Sequence, residues 1–138
     1  LAGETLAFTN HDAWSVAISH PDPNRGPAVR LRISNAAVAT ISPASQAEGA
    51  EIFDPRTGRR PSGEASVTVV TSPALRARAL AEALRVLGRD GAAQYAHRHG
   101  DVGVLWLEPL SDGVRAWAWN LGAVAGEPGL RVEWQDAP

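Results

Sequence analysis

The densest chemistry in this chain lies in ten residues, EIFDPRTGRR over positions 51–60. Asp54 and Pro55 start a reverse turn, because an aspartate oxygen can bond the backbone two residues on and proline presets its own φ. Thr57 and Gly58 follow with a hydroxyl and a permissive backbone, whose amides are suited to an anion-binding nest. Arg56, Arg59 and Arg60 add forked donors that match phosphate geometry. On these residues alone two readings stand: a structural corner and nothing else, or a cradle for phosphate. A second constellation is His97-x-His99 with Asp101 close behind. On a strand the two imidazoles would share a face, and zinc would need a third protein ligand, for which the neighbourhood offers only Asp101. At a helix end the same pair is simply favoured by the macrodipole. His11 and His20 fall in polar turns and carry no chemistry in this reading.

The remaining composition narrows the chemistry by omission. The 138 residues suffice for a single domain, 1–138, and are too few for two ordinary ones. All thirteen basic residues are arginines, which excludes a Schiff-base or nucleophilic lysine. With no cysteine there are no disulfides, thiolate metal sites or cysteine nucleophiles, and the compartment cannot be read. No G-x-S-x-G, P-loop or dinucleotide fingerprint occurs. A net charge of -2, with one Tyr and two Phe, argues against a nucleic-acid surface. No apolar run approaches the roughly 20 residues of a membrane span, and no signal-like segment is present. Lacking methionine even at position 1, the sequence reads as a processed product, a trimmed fragment or an excised domain.

The elements that must position these residues follow from periodicity. Alternating or β-branched stretches predict strands at Thr5–Thr9, Trp14–Ser19, Ala28–Ser34 and Ala37–Ile41, with HPDPNRGP as a loop between the second and third. Sequential neighbours of this kind suggest an antiparallel meander. Ala65–Val70 is the next strand. Ser72 and Pro73 then open a helix, with serine as cap and proline at the first helical position. Its apolar stripe is Leu75, Ala79, Leu80, Ala83, Leu84 and Leu87, and Gly88 is its natural stop. A short helix from Gly91 to about His97 precedes the strand Val102–Leu107, the Asp112-Gly113 hairpin turn, the strand Val114–Trp119 and a last strand Leu130–Trp134. This order predicts an α+β fold, a largely antiparallel sheet against one long and one short helix. Trp106, Trp117, Trp119 and Trp134 cluster near the end, where filling a core or an interface is a commoner role than stacking on a ligand.

Placed in order, the segments resemble a known family. EIFDPRTGRRP, then SVTVV, then ALRARALAEALRVLG is similar to the C-terminal portion of the FAD:protein FMN transferases, the ApbE-type flavinyltransferases. Their signature runs roughly H-I-x-D-P-R-T-G-x-P, S-V-T-V and A-D-A-L-A-T-A-L-x-x-L-G. Upstream, AWSVAISHPDP and SNAAVAT resemble the family's W-x-V-x-I-x-D-P and A-V-A-T-S-G-x-Y. The resemblance runs from about Trp14 to Gly88 and implies one lobe of the ApbE-type fold. It further implies FAD and a divalent cation, usually magnesium, as cofactors. The activity implied is transfer of FMN to a protein threonine with release of AMP, in a secreted or membrane-anchored enzyme. The positions that match flavin-binding ones are Thr40, Asp54, Arg56, Thr57 and Gly58.

The departures fall on the chemistry. Glu51 stands where the family motif opens with histidine, and Arg78 and Glu82 stand where its helix carries the Asp and Thr that serve the metal. A guanidinium cannot coordinate a cation, so the resemblance leaves no confident metal ligand and no confident catalytic residue. Arg78 either stands in the metal's place or belongs, with Glu82, Arg85 and Arg89, to an exposed salt-bridged helix face. ATISPASQ lacks the family's glycine turn and tyrosine, and the resemblance covers only the C-terminal half of a family member. Three readings follow: a degenerate domain that still binds flavin or pyrophosphate; a fragment or subunit of an active transferase, completed by an N-terminal lobe or a homodimer partner; or a non-catalytic interaction module using its tryptophan-rich end.

Overall fold

Strand β5 (Ser66–Thr71) reads SVTVVT, a nearly unbroken β-branched run with five of its six residues buried. Such a strand must be covered on both faces, and this requirement organises the molecule. In the computed structural model, which describes residues 4–7, 13–43 and 51–136, β5 lies inside a six-stranded sheet. The spatial order is β1 (Glu4–Ala7), β4 (Ala36–Ile41), β5, β6 (Gly103–Pro109), β7 (Gly113–Trp119) and β9 (Arg131–Trp134). All neighbours are antiparallel except β7 and β9. One face is covered by helix α1 (Ala74–Arg98) and the other by a three-stranded antiparallel sheet of β2 (Trp14–Ser19), β3 (Pro27–Ile33) and β8 (Val124–Gly126). Among the described residues no helix is long and apolar enough to cross a membrane.

The period-two alternation of the strands divides the core. Ala37, Ala39, Ile41, Val67, Val69, Val104 and Trp106 meet the helix, whereas Val38, Leu105, Leu107, Val114 and Ala116 meet Ile18, Val29, Leu31 and Ile33 of the second sheet. Two buried layers on one sheet give a largely antiparallel α+β fold, in agreement with the sequence.

Several expectations need correction. The first four strands do not form a meander: β2 pairs with β3, but β1 pairs across them with β4, and β2–β3 leaves the main sheet altogether. The burial patterns give the reason, since the inward residues of β2 and β3 fill the far side of the sheet rather than its edge. Residues 8 and 9 of the expected first strand, and His11, lie outside the described residues. Strand β8 was not foreseen; three residues, VAG, give no period to read. Ser72 does not cap the helix: Pro73 is the N-cap, no side chain caps it, and the Arg76 and Ala77 amides bond the Pro73 carbonyl.

Gly88 is the helix stop that its sequence position suggests. At φ 77° and ψ 178° it breaks α1 into a long and a short segment, a conformation that glycine adopts without a Cβ penalty. The buried stripe differs from the one expected. Ala77, Ala81 and Leu84 face the sheet with Ala92 and Ala96, while Leu75 and Leu87 are 80% and 49% exposed. Small residues on the helix share a core with Ala37 and Ala39 of β4, and of the expected leucines Leu84 is buried, Leu80 packs at the margin and Leu75 and Leu87 turn outward. Trp106, Trp117 and Trp119 are core residues, and Trp134 is partly exposed.

His20 is buried and satisfied. Its Nδ1 accepts the Asp22 amide at 2.9 Å, so Nε2 carries the proton and donates to the Gly113 carbonyl at 2.9 Å. The ring thereby links the loop after β2 to the main sheet.

Candidate functional site

The corner folds as its residues dictate. The Asp54 carboxylate accepts the Arg56 amide at 2.9 Å and holds the Arg56 guanidinium in two bonds of 3.0 and 2.9 Å. The Asp54 carbonyl accepts the amides of Thr57 and Gly58, its amide donates to the Arg59 carbonyl, and the Arg59 amide bonds Thr57 Oγ1 at 3.3 Å. Gly58 closes the turn at φ 66°. The amides of residues 56–59 are therefore engaged within the turn, and the anion nest considered from sequence is not present as a row of open donors. What the corner offers outward is side chains.

Asp54 is held below the usual carboxylate range, first by the Arg56 side chain and then by the Arg56 amide. A depressed folded value adds stability above the ordinary aspartate value, near 3.9, and that stability is lost as pH falls through the folded value. The Gly58 amide resonance, followed by NMR on acidification, is expected to titrate with a midpoint below about 3.9 and to show no such titration in D54N. A midpoint at or above the ordinary value would show that Arg56 does not hold the carboxylate.

The corner forms one wall of an open groove of about 730 Å³, and α1 forms the other. Glu51, Ile52, Phe53, Pro55 and Arg56 face Ala79, Glu82, Ala83, Val86 and Leu87. Ile52 anchors this wall in the core, and the strand-like alternation turns the next residue, Phe53, outward at 46% exposure. Arg60 is ion-paired to Glu51 and places its guanidinium 5.8 Å from the Phe53 ring centroid. Across the groove, Arg78 Nε donates to Glu82 at 2.6 Å, the i, i+4 pair expected from sequence.

Of the residues singled out in sequence, the structure places Glu51, Arg56 and Glu82 on this groove, with Asp54 and Arg78 as ion-pair partners of two of them. Thr57 and Gly58 shape the turn without lining the groove. Thr40 is not among the lining residues of the groove: its hydroxyl lies 2.8 Å from that of Thr68, its cross-strand partner, in the main sheet. Phe53, Ala79, Ala83 and Leu87 were not foreseen as groove residues. The available signal was a surplus: α1 carries more apolar positions than one buried stripe can use.

Arg85 departs from the expected exposed helix face. It is 3% exposed, and it donates to the carbonyls of Ser62 and Gly63 at 2.6 to 3.2 Å, fastening the segment that follows the corner onto the helix. Burial lowers its pKa from the usual arginine value. Arg89 stacks over Trp117 at 4.8 Å. At the end of α1, His99 stacks on Tyr95 at 4.2 Å and Asp101 is bonded by Arg76 at 2.6 Å, so the H-x-H segment serves the helix end. Among the described residues no three His, Cys, Asp or Glu side chains gather as a metal cluster.

Comparison with known proteins adds identity to this geometry. Two structures of the flavin transferase ApbE from Vibrio cholerae, one of them a point mutant, are each 27% identical to this chain. Their TM-scores are 0.57 for the mutant and 0.56 for the other, and the matches cover 77% of this chain and 32% and 35% of theirs. The apo flavinyl transferase ApbE of Pseudomonas stutzeri is similar in fold, with 22% identity, a TM-score of 0.59 and coverage of 80% of this chain and 38% of that one. The chain thus spans about a third of the length of these solved transferases. No curated protein matches. Residues 1–106 match the family model, and with the corner, the SVTVV strand and the helix in the order the resemblance required, the chain belongs to the ApbE family.

Proposed function

We propose that residues 1–138 act as one domain that binds a flavin, with FAD as the natural candidate, in the groove between the corner and α1, without magnesium and without transferring FMN. The observation that carries this reading is the pairing of each carboxylate at the groove and its corner among the described residues: Glu51 with Arg60, Asp54 with Arg56, Glu82 with Arg78. Magnesium demands several oxygen ligands in octahedral geometry. Here the donor set is three carboxylates on separate segments, each already neutralised by a guanidinium. These residues do not fit the metal that the family resemblance implies, and no step is routed through it. The groove itself has the volume of a small-ligand site and is lined mainly by apolar side chains with a few polar groups at its rim.

Titration of FAD, followed by flavin fluorescence, is the test. The affinity is expected to agree within about twofold in magnesium and in EDTA, with no covalent flavin on a threonine-containing acceptor peptide by in-gel fluorescence. Binding that requires magnesium, or covalent labelling of the peptide, would overturn the reading.

A second reading rests on the chain's span of about a third of the solved transferases. It assigns this domain to an active transferase whose groove is completed by a further lobe or a second copy. The exposed Phe53, Leu87 and Leu75 give such a partner an apolar surface to cover. Covalent labelling that appears only on co-expression with the remainder of a family member would select it.

A further inference from the structure

Resting on the flavin reading above, we infer that the groove recognises the uncharged ring system of its ligand and not the pyrophosphate, so that riboflavin binds about as well as FAD. The first ground is charge. The side chains that line the groove include two carboxylates, Glu51 and Glu82, against one guanidinium, Arg56, and that guanidinium is already bonded in two places by Asp54. Arg60 and Arg78, on either side of the groove, are bound to Glu51 and Glu82. A pyrophosphate entering here would meet charges that are already paired one to one, and it would have to displace a carboxylate from each of these arginines it used.

The second ground is the backbone. Anion sites at turns work through rows of open amides, and the amides of Arg56, Thr57, Gly58 and Arg59 are bonded inside the corner. The third is shape and surface. Ala79 and Ala83 lie one helical turn apart and leave a shallow, flat strip on α1, bounded by Val86 and Leu87. Facing it across the groove is Phe53, half exposed and steadied on one side by the Arg60 guanidinium. A planar, uncharged aromatic occupant buries apolar surface against that strip and gains ring contact with Phe53. An anion gains neither.

The experiment titrates the full chain with riboflavin, FAD and ADP, following flavin fluorescence and, for ADP, competition against bound riboflavin. Riboflavin is expected to bind with a Kd no more than about threefold weaker than that of FAD, ADP is expected not to compete, and added salt is expected to leave the riboflavin Kd unchanged. F53A is expected to weaken riboflavin and FAD alike by about tenfold or more. Because Phe53 is half exposed, this variant should keep its fold, and circular dichroism checks it. A83L, which fills the strip, should have the same effect on both flavins. FAD binding more than about tenfold tighter than riboflavin, with competition by ADP, would overturn the inference and leave the flavin-binding reading standing. Riboflavin affinity unchanged in both F53A and A83L would also overturn it. Failure of all flavins to bind would remove the underlying reading as well, and is distinguished from the other outcomes by the silent FAD control.

Discussion

Gly113→Ala is expected to cost about 3 kcal/mol or more of folding stability, the largest loss from a glycine-to-alanine change among the described glycines. A Cβ built at Gly113 would lie 1.8 Å from the carbonyl oxygen of Arg131, its register partner in β9, and 2.7 Å from the carbonyl carbon. Both are backbone atoms, so no side-chain rotation relieves the clash and the parallel β7–β9 pair must separate. The same residue closes the hairpin through the Leu110 amide at 2.8 Å and receives the His20 bond from the second sheet. Displacement of Gly113 therefore disturbs three elements together. The measurement is the urea midpoint of the variant against wild type, with Gly26→Ala as control. Gly26 has no neighbour within 4 Å of its added Cβ, and its change should stay within about 0.5 kcal/mol. Equal midpoints for the two variants would show that β7 and β9 do not meet as described.

Asn120→Asp is expected to lower stability by about 2 kcal/mol or more at neutral pH, from the two N–H donors it loses at about 1 kcal/mol each and from added repulsion. Asn120 Nδ2 donates to the carbonyls of Ala96 at 2.7 Å, His99 at 3.2 Å and Val102 at 3.0 Å. It thus gives a further donor to the Ala96 and His99 carbonyls, which already accept the His99 and Val102 amides, and ties the end of α1 to the start of β6. Its backbone sits at φ 53°, a conformation that Asn, Asp and Gly tolerate, so the substitution changes the donor without straining the chain. A carboxylate at this point faces only acceptors. On acidification the deficit should shrink, because the protonated carboxyl regains a donor. Asn120→Gly keeps the backbone and adds no charge, so its loss should be the smaller. A variant order with N120G below N120D in stability, by chemical denaturation, would contradict this account.

How much of this was legible in the residues differs by length scale. The helix, its break at Gly88, the β6–β7 hairpin and the identity of most strands follow from local pattern: proline, glycine and periodicity act within a few residues. The sheet order was not legible, because β1 pairing with β4 and β7 pairing with β9 depend on which faces the core can bury, and that is decided by residues far apart. The helix misled for a related reason. Leucines outnumber the positions that face the sheet, and only the packing of Ala77 and Ala81 into one core with β4 decides which stripe goes inward. For the site, the corner and the Arg78–Glu82 pair were visible as residue types. That the corner's amides are already bonded was not, since this depends on the turn closing on Asp54. Nor was the bond between the Thr40 and Thr68 hydroxyls, which depends on the pairing of β4 with β5.

The threading of the strands also has a consequence for synthesis. The second sheet begins with β2 and β3 but is completed by β8, and the main sheet begins with β1 and β4 but ends on β9. Both sheets therefore wait for residues beyond Val124. On a ribosome the early strands emerge with their inward faces bare, and neither sheet has its full set of strands until β8 and β9 have left the exit tunnel.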